Sequence, residues 1–293
     1  MIREIYENQG DAGMDRIRRL MDTARQNSPT AAKIINTAFA YGCGFNFSRL
    51  DKCQGAYDAS CNMVLLNPAR SDEELLTTLV HESRHSLQPK DFKNAQNNIR
   101  TNLQWTRATE ADAMAHECAA AFEMRSALPA VWDKFKEKHA GIAASYEKSI
   151  EGGDRNKALN EAFKAWHDNA GYVAIYDGET IDRLSFFCDR GKAVCQNDIP
   201  PEEIGKRVCR TDGQSYLEEG FMTSARALTL ASGSVLPKVE QLKEKVRLLT
   251  GRDDVSLDAF RANREQGVAN ESAQNRNGMP NVSVLRNAVY RGR

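Results

Sequence analysis

The sequence predicts an α+β fold that is mostly helical, with a small sheet placed ahead of one well-capped helix and additional helices after it. Three observations predict it. Apolar residues recur at helical spacing over most of the chain from residue 72 onward. Strand-like patterning is confined to the stretch from Phe45 to Leu66. A capping signature at Ser71 separates the two regimes.

In order, residues 12 to 41 read as two short helices broken at Ser28-Pro29, where Ser28 caps and Pro29 takes a first helical position. Gly42 stops the second helix. The segments FNF and NMVLL then form short strands around turn signals at Gly55 and Asp58-Ala59-Ser60. Ser71 followed by Asp72, Glu73 and Glu74 places acidic side chains at the positive end of a helix running from about Asp72 to Gln88, which Pro89 ends. Further helices are expected over about 104 to 127, 130 to 150, 155 to 169, 214 to 231 and 237 to 249, with breaks at Gly152-Gly153 and Gly171. After Gly251 the chain turns polar and rich in Asn, Arg and Ser, the composition of a weakly ordered tail.

Composition narrows the function classes. The 293 residues carry 40 basic and 40 acidic side chains, so no net field draws in nucleic acid or an anionic membrane. No apolar run approaches the roughly 20 residues that span a bilayer, and the first residues lack the apolar segment of a signal peptide. The expected compartment is therefore cytoplasmic, with leaderless export left open. Seven cysteines form no CxxC pair, which points to reduced thiols. Cys43, Cys53 and Cys61 lie close enough in sequence for one local bridge under oxidising conditions.

The chemistry resides in Leu79-Val80-His81-Glu82-Ser83-Arg84-His85-Ser86-Leu87-Gln88, which contains HExxH. On a helix the i, i+4 spacing puts both imidazoles on one face, where they can share a metal ion, with Glu82 beside them as general base. Zinc suits imidazole and carboxylate ligands with an open position. The helical wheel sets Leu76, Leu79, Val80, Ser83 and Leu87 in an apolar stripe and His81 and His85 opposite it.

Two histidines leave zinc one protein ligand short. Glu110 is the leading candidate, because it shares a helical face with Ala113, Met114, Glu117, Ala120, Ala121 and Met124, while Asp112, His116 and Glu123 point the other way. A carboxylate on an alanine-rich face needs a partner. Asp91, six residues after His85, ranks below it because Gln88 stands where a turn glycine is needed. Glu117 is placed to accept the free ring N–H of His81 or His85. His116 reads as a surface residue and Arg84 as a structural ion-pair partner or a substrate-carboxylate binder. His167 and Tyr172, flanking the break in AWHDNAGYVAIY, are candidate oxyanion stabilisers or a structural aromatic pair.

The string GAYDASCNMVLLNPARSDEELLTTLVHESRHSLQ followed by TEADAMA resembles metallopeptidase domains of bacterial and phage genomes that carry a strand, an LVHExRHxxQ helix and a later EAD helix. The resemblance covers about residues 55 to 125 and implies a zincin-like, broadly gluzincin core. In it His81 and His85 match the metal ligands, Glu82 the base and Glu110 the third ligand. It also implies that the strand before the motif helix, about Asn62 to Leu66, is an exposed edge for an extended peptide. The expected organisation is N-terminal helices and the start of the sheet in 1–54, the zincin-like core in 55–127, a helical subdomain completing a cleft in 128–250 and the tail in 251–293. The leading functional expectation is a zinc peptidase acting on a protein or peptide, with no nucleic-acid or membrane partner. The alternatives are an inactive zinc-binding interaction protein and a metal-dependent amidase on a non-protein amide.

Overall fold

The computed structural model describes residues 11–51, 53–90, 95–193, 195–230, 233, 235–258 and 261–262. The described residues fall into two compact units. One is drawn from Met1–Gln88 and Ala113–Ala162, the other from Pro89–Asp112 and Phe163–Gly278. No helix among the described residues is long and apolar enough to cross a membrane.

The first unit opens with α1 (Asp11–Asn27) and α2 (Pro29–Ala40). As expected, Ser28 separates them: its Oγ accepts from the amide of Ala31 at 2.9 Å, and Pro29 opens α2. Gly42, at φ 73°, takes the left-handed turn that an L side chain disfavours, and the chain enters the sheet. The sheet holds β1 (Gly44–Phe47), β2 (Gly55–Asp58) and β3 (Met63–Leu66) in the order β1-β3-β2. β3 runs parallel to β1, with Gly44 opposite Met63, and antiparallel to β2, with Gly55 opposite Leu66.

This corrects two expectations. β3 is the central strand, its backbone groups paired on both sides, so it offers no edge; β1 and β2 are the edges. Gly55 is not a turn residue but the first residue of β2. The turn falls where Asp58-Ala59-Ser60 predicts it, with Asp58 Oδ1 accepting from the Ser60 amide at 2.8 Å.

The motif helix α3 (Asp72–Leu87) has the capping box complete, Ser71 accepting from the Glu74 amide and Glu74 accepting from the Ser71 amide. Its entry is pinned from outside. Arg16 of α1 donates to Asp72 Oδ1 at 2.8 Å and to the carbonyls of Pro68 and Arg70 at 2.8 and 2.7 Å. Gln54 donates to Glu74 Oε1 at 2.9 Å. The helix packs against α1, α2, β2, β3 and α5 (Pro129–Lys138). It therefore has no single core stripe: Leu75 through His81 are all buried, as is Ser83. The two-faced wheel fails because the helix is central to its unit.

Helix α4 (Ile99–Met124) contributes its first part to the second unit and the rest to the first. Its last turns are fixed by Glu123, which accepts from Ser28 Oγ at 2.5 Å, Thr30 Oγ1 at 2.5 Å and the Thr30 amide at 2.9 Å. His116 is 2 % exposed, so it is not a surface residue; the polar side of this helix is buried like the apolar one. Where one helix was expected over 130 to 150 there are two, α5 and α6 (Ala140–Ile150), because His139 leaves the helical conformation at φ −130°, ψ 42°. α7 (Arg155–His167) follows.

The second unit adds α8 (Ala170–Cys188), α9 (Pro201–Val208) and α10 (Val235–Thr250). α8 and α9 were not predicted. The helix expected over 214 to 231 is instead a hairpin of β4 (Arg210–Thr211) and β5 (Gln214–Ser215), a short 3₁₀ turn at Phe221–Thr223 and a strand, β6 (Thr229–Leu230), paired with β7 (Arg261–Ala262). At the centre of this unit, Arg107 makes a bidentate ion pair with Asp177 at 2.8 and 2.5 Å, 1 % and 0 % exposed, and donates to the Ala227 carbonyl at 2.9 Å. Of the expected tail, Asp254 and Ser256 accept from the amides of Ile99 and Arg100 at 3.2 Å each, capping α4. Residues 263–293 lie outside the described part.

Candidate metal centre

One turn apart on α3, the rings of His81 and His85 stand edge to face with centroids 4.9 Å apart. Each ring is oriented by its Nδ1 atom. His81 Nδ1 lies 2.9 Å from Oε2 of Glu117, and His85 Nδ1 lies 2.8 Å from Oε1 of Gln88, the buried residue that ends the helix. A carboxylate and an amide oxygen only accept, so each ring donates from Nδ1, and Nε2 is the atom that a neutral ring so placed can offer to a metal. That is the arrangement in which an imidazole binds a metal through Nε2 while its other nitrogen is held by a hydrogen-bond acceptor.

Glu117 reaches His81 from α4, and it is buried. Burial works to raise the pKa of its carboxyl, but the hydrogen bond from His81, the electrostatic effects of His81 and His139 and a smaller one from Thr77 together outweigh burial and hold it below the usual carboxylate range. It therefore meets His81 as a carboxylate. Thr77 lies one turn before His81 on α3, so the helix supplies both donors that Glu117 accepts.

Glu110 is two turns before Glu117 on α4 and 2 % exposed. Ligand atoms of His81, His85 and Glu110 all lie within 4.8 Å of one another, the one such group of three among the described residues. Two nitrogen lone pairs and a carboxylate oxygen gathered this closely fit a divalent cation that accepts mixed nitrogen and oxygen donors. Glu82, next in the chain to His81, is half-buried with its Cγ close against Gly55 of β2.

The remaining candidates fall elsewhere. Asp91 lies outside the described residues. Arg84 is half-buried, and its charge joins that of Arg155 and, above both, burial in depressing the pKa of Lys33 of α2. His167 ends α7 in an aromatic cluster with Phe163, Trp166 and Phe221, and Tyr172 stacks on Trp166 at 6.0 Å. Burial pushes the His167 pKa down to about 3, so the ring is neutral. Its Nδ1 lies 3.1 Å from the Phe163 carbonyl and must donate to it, which leaves Nε2 a bare acceptor. A neutral ring in that tautomer has no proton to offer an oxyanion, which speaks for the structural reading of the aromatic pair.

Two residues beside these ligands are not among the candidates that the sequence singles out. Gln88 closes the LVHExRHxxQ stretch, but its role as the partner of His85 is visible only in the fold. His139, half-buried at the junction of α5 and α6, is near enough to Glu117 and His81 to feel both electrostatically, while burial lowers its own pKa to about 4.

Two imidazoles and a buried carboxylate gathered at one point, with a further glutamate adjacent in the chain, could hold a divalent metal ion. Residues 1–217 match the family described as "Putative metallopeptidase family (DUF6782)", and the chain belongs to that family. No curated protein and no solved structure matches it.

Proposed function

We propose that this metallopeptidase-like domain is a zinc-dependent peptidase, with His81, His85 and Glu110 as the metal ligands and Glu82 as general base. The observation that carries the reading is the gathering of ligand atoms of His81, His85 and Glu110, with both Nδ1 atoms engaged by Glu117 and Gln88 so that Nε2 of each ring is the nitrogen left for a metal. A zinc ion held there would supply Lewis acidity, acidifying water and polarising the scissile carbonyl.

The residues of the chain do the rest. Glu82 takes the proton of the attacking water and delivers it to the leaving amine, and its half-buried carboxylate is near enough to His81 in the chain to act at the same point. Glu117 keeps His81 oriented and supplies negative charge behind it. Because β3 is central, an extended peptide substrate would add to β2, the edge strand packed on α3, rather than to β3. His167 is left without a catalytic role in this reading, and Tyr172 is the side chain it assigns to the oxyanion. The partner is a protein or peptide. The balanced charge of the chain gives nucleic acid no general attraction.

The test is metal analysis of protein expressed with added zinc, together with a proteome-wide comparison of cleavage by the wild type and by Glu82→Gln. One zinc per chain in both proteins and cuts made by the wild type alone are expected. Equal zinc and no cut in either protein would leave a metal-binding interaction protein.

A further inference from the structure

Gly55 opens β2 directly against α3. A Cβ built there would lie 2.6 Å from Cγ2 of Thr78, 2.9 Å from Cγ of Glu82 and 3.1 Å from the carbonyl oxygen of Leu65. The first two distances are shorter than real Cβ atoms show, so something must move if a methyl group is placed at this position. The backbone of Gly55 is not in the left-handed region, so what requires glycine here is space and not conformational freedom.

The neighbours differ in how far they can yield. Thr78 is β-branched and held in place, its Oγ1 donating to the Glu74 carbonyl at 2.8 Å with Gln54 Oε1 3.3 Å away. Leu65 belongs to the central strand, its backbone fixed by pairing on both sides. Glu82 is the half-buried, unbranched side chain of the three, and its Cγ is the atom that would give way. At Gly205, another glycine with contacts this short, the neighbours are side-chain atoms of Met222 and Leu217. There the contact is ordinary apolar packing.

We propose that Gly55 is a positioning residue for Glu82: the missing side chain leaves the slot in which the Glu82 stem lies, and so sets where the carboxylate meets the metal centre. This rests on the reading of Glu82 as the base. The prediction is that Gly55→Ala costs turnover by displacing Glu82, over and above any cost to folding from the collision with Thr78.

The two effects separate in the double variant Gly55→Ala/Thr78→Ser, since serine removes Cγ2 and keeps the hydroxyl. The zinc-loaded proteins are compared by thermal unfolding, zinc affinity, crystal structure and hydrolysis of a peptide spanning a cut made by the wild type. The double variant is expected to unfold near Thr78→Ser alone and to bind zinc as tightly, since no ligand is touched. Its kcat should fall on the order of 100-fold with KM little changed, the scale of a misplacement of about 1 Å, while Thr78→Ser alone keeps its turnover. The Glu82 carboxylate should be displaced in its crystal structure. Wild-type kcat with Glu82 in its wild-type place would overturn the proposal. So would failure of the double variant to fold, which would assign Gly55 to the fold itself. If the wild type cuts nothing, the peptidase reading fails, and the positions of Glu82 in the two structures still decide the role of Gly55.

Discussion

Nδ1 of His81 lies 2.9 Å from Oε2 of Glu117, which stands 36 residues further along the chain on a different helix. The pair fixes which ring nitrogen of His81 donates, and that hydrogen bond leads the interactions that keep Glu117 ionised against its burial. Removing the carboxylate frees the ring to rotate and to shift its proton. Glu117→Ala is expected to weaken zinc binding by about 10- to 100-fold, and Glu117→Gln, which still accepts a hydrogen bond, by less. Competition with a chromogenic chelator measures this. Wild-type affinity in Glu117→Ala would detach Glu117 from the site.

The ligand assignment makes a prediction about stability as well as binding. Zinc held at about 100 times its Kd should stabilise the fold by about 2.7 kcal/mol, provided the unfolded chain does not bind it. Chelation should remove that increment. In Glu110→Ala the unfolding temperature should no longer respond to zinc, whereas in Glu82→Gln it should respond as in the wild type. A full zinc response in Glu110→Ala would exclude it as the third ligand.

Arg107 and Asp177 bury opposite charges with almost no exposure, so each depends on the other. Asp177→Ala strands a guanidinium in the interior and is expected to cost about 3–5 kcal/mol in urea unfolding. Replacing both residues by apolar ones of similar volume should recover much of the loss. A cost under about 1 kcal/mol for Asp177→Ala would mean that water reaches Arg107.

His167 makes stability depend on pH. Its pKa is about 3 in the fold against the ordinary histidine value of 6.5. Between those limits the unfolded chain takes up a proton that the folded one refuses, so stability is complete above about pH 6.5 and falls as the pH is lowered. The slope from this residue is up to about 1.4 kcal/mol per pH unit. His167→Phe should flatten the acid side of the profile measured by denaturant unfolding. An unchanged slope from pH 6.5 to pH 4 would place the titration elsewhere.

Local chemistry explains what was legible in the sequence. Ser28-Pro29 and Ser71 with Glu74 act within one helical turn, so their helices were readable to within a residue or two. The start of α4 was not, because Asp254 and Ser256 cap it from 155 and 156 residues away. The hairpin at 210–215 had its signal in Asp212-Gly213, both at positive φ, and the apolar spacing around it suggested a helix instead. α8 was hidden by Gly171 and Gly178, which it absorbs, with Asn169 capping its start through the amides of Gly171 and Tyr172. In the site, His81, Glu82, His85, Glu110 and Glu117 announce themselves by spacing. Gly55 and Gln88 do not, since a contact across the sheet and a cap that turns back on its own helix leave no periodic trace.

The order β1-β3-β2 also bears on how the protein is made. The strand that lies in the middle is the last of the three to leave the ribosome, so neither β1 nor β2 has a hydrogen-bonding neighbour until residues 63–66 have emerged. Residues 72–87 follow immediately. The nascent chain thus completes its sheet and begins its HExxH helix within the same short interval of synthesis, and a chain halted near residue 60 would carry two unpaired strands exposed to other chains.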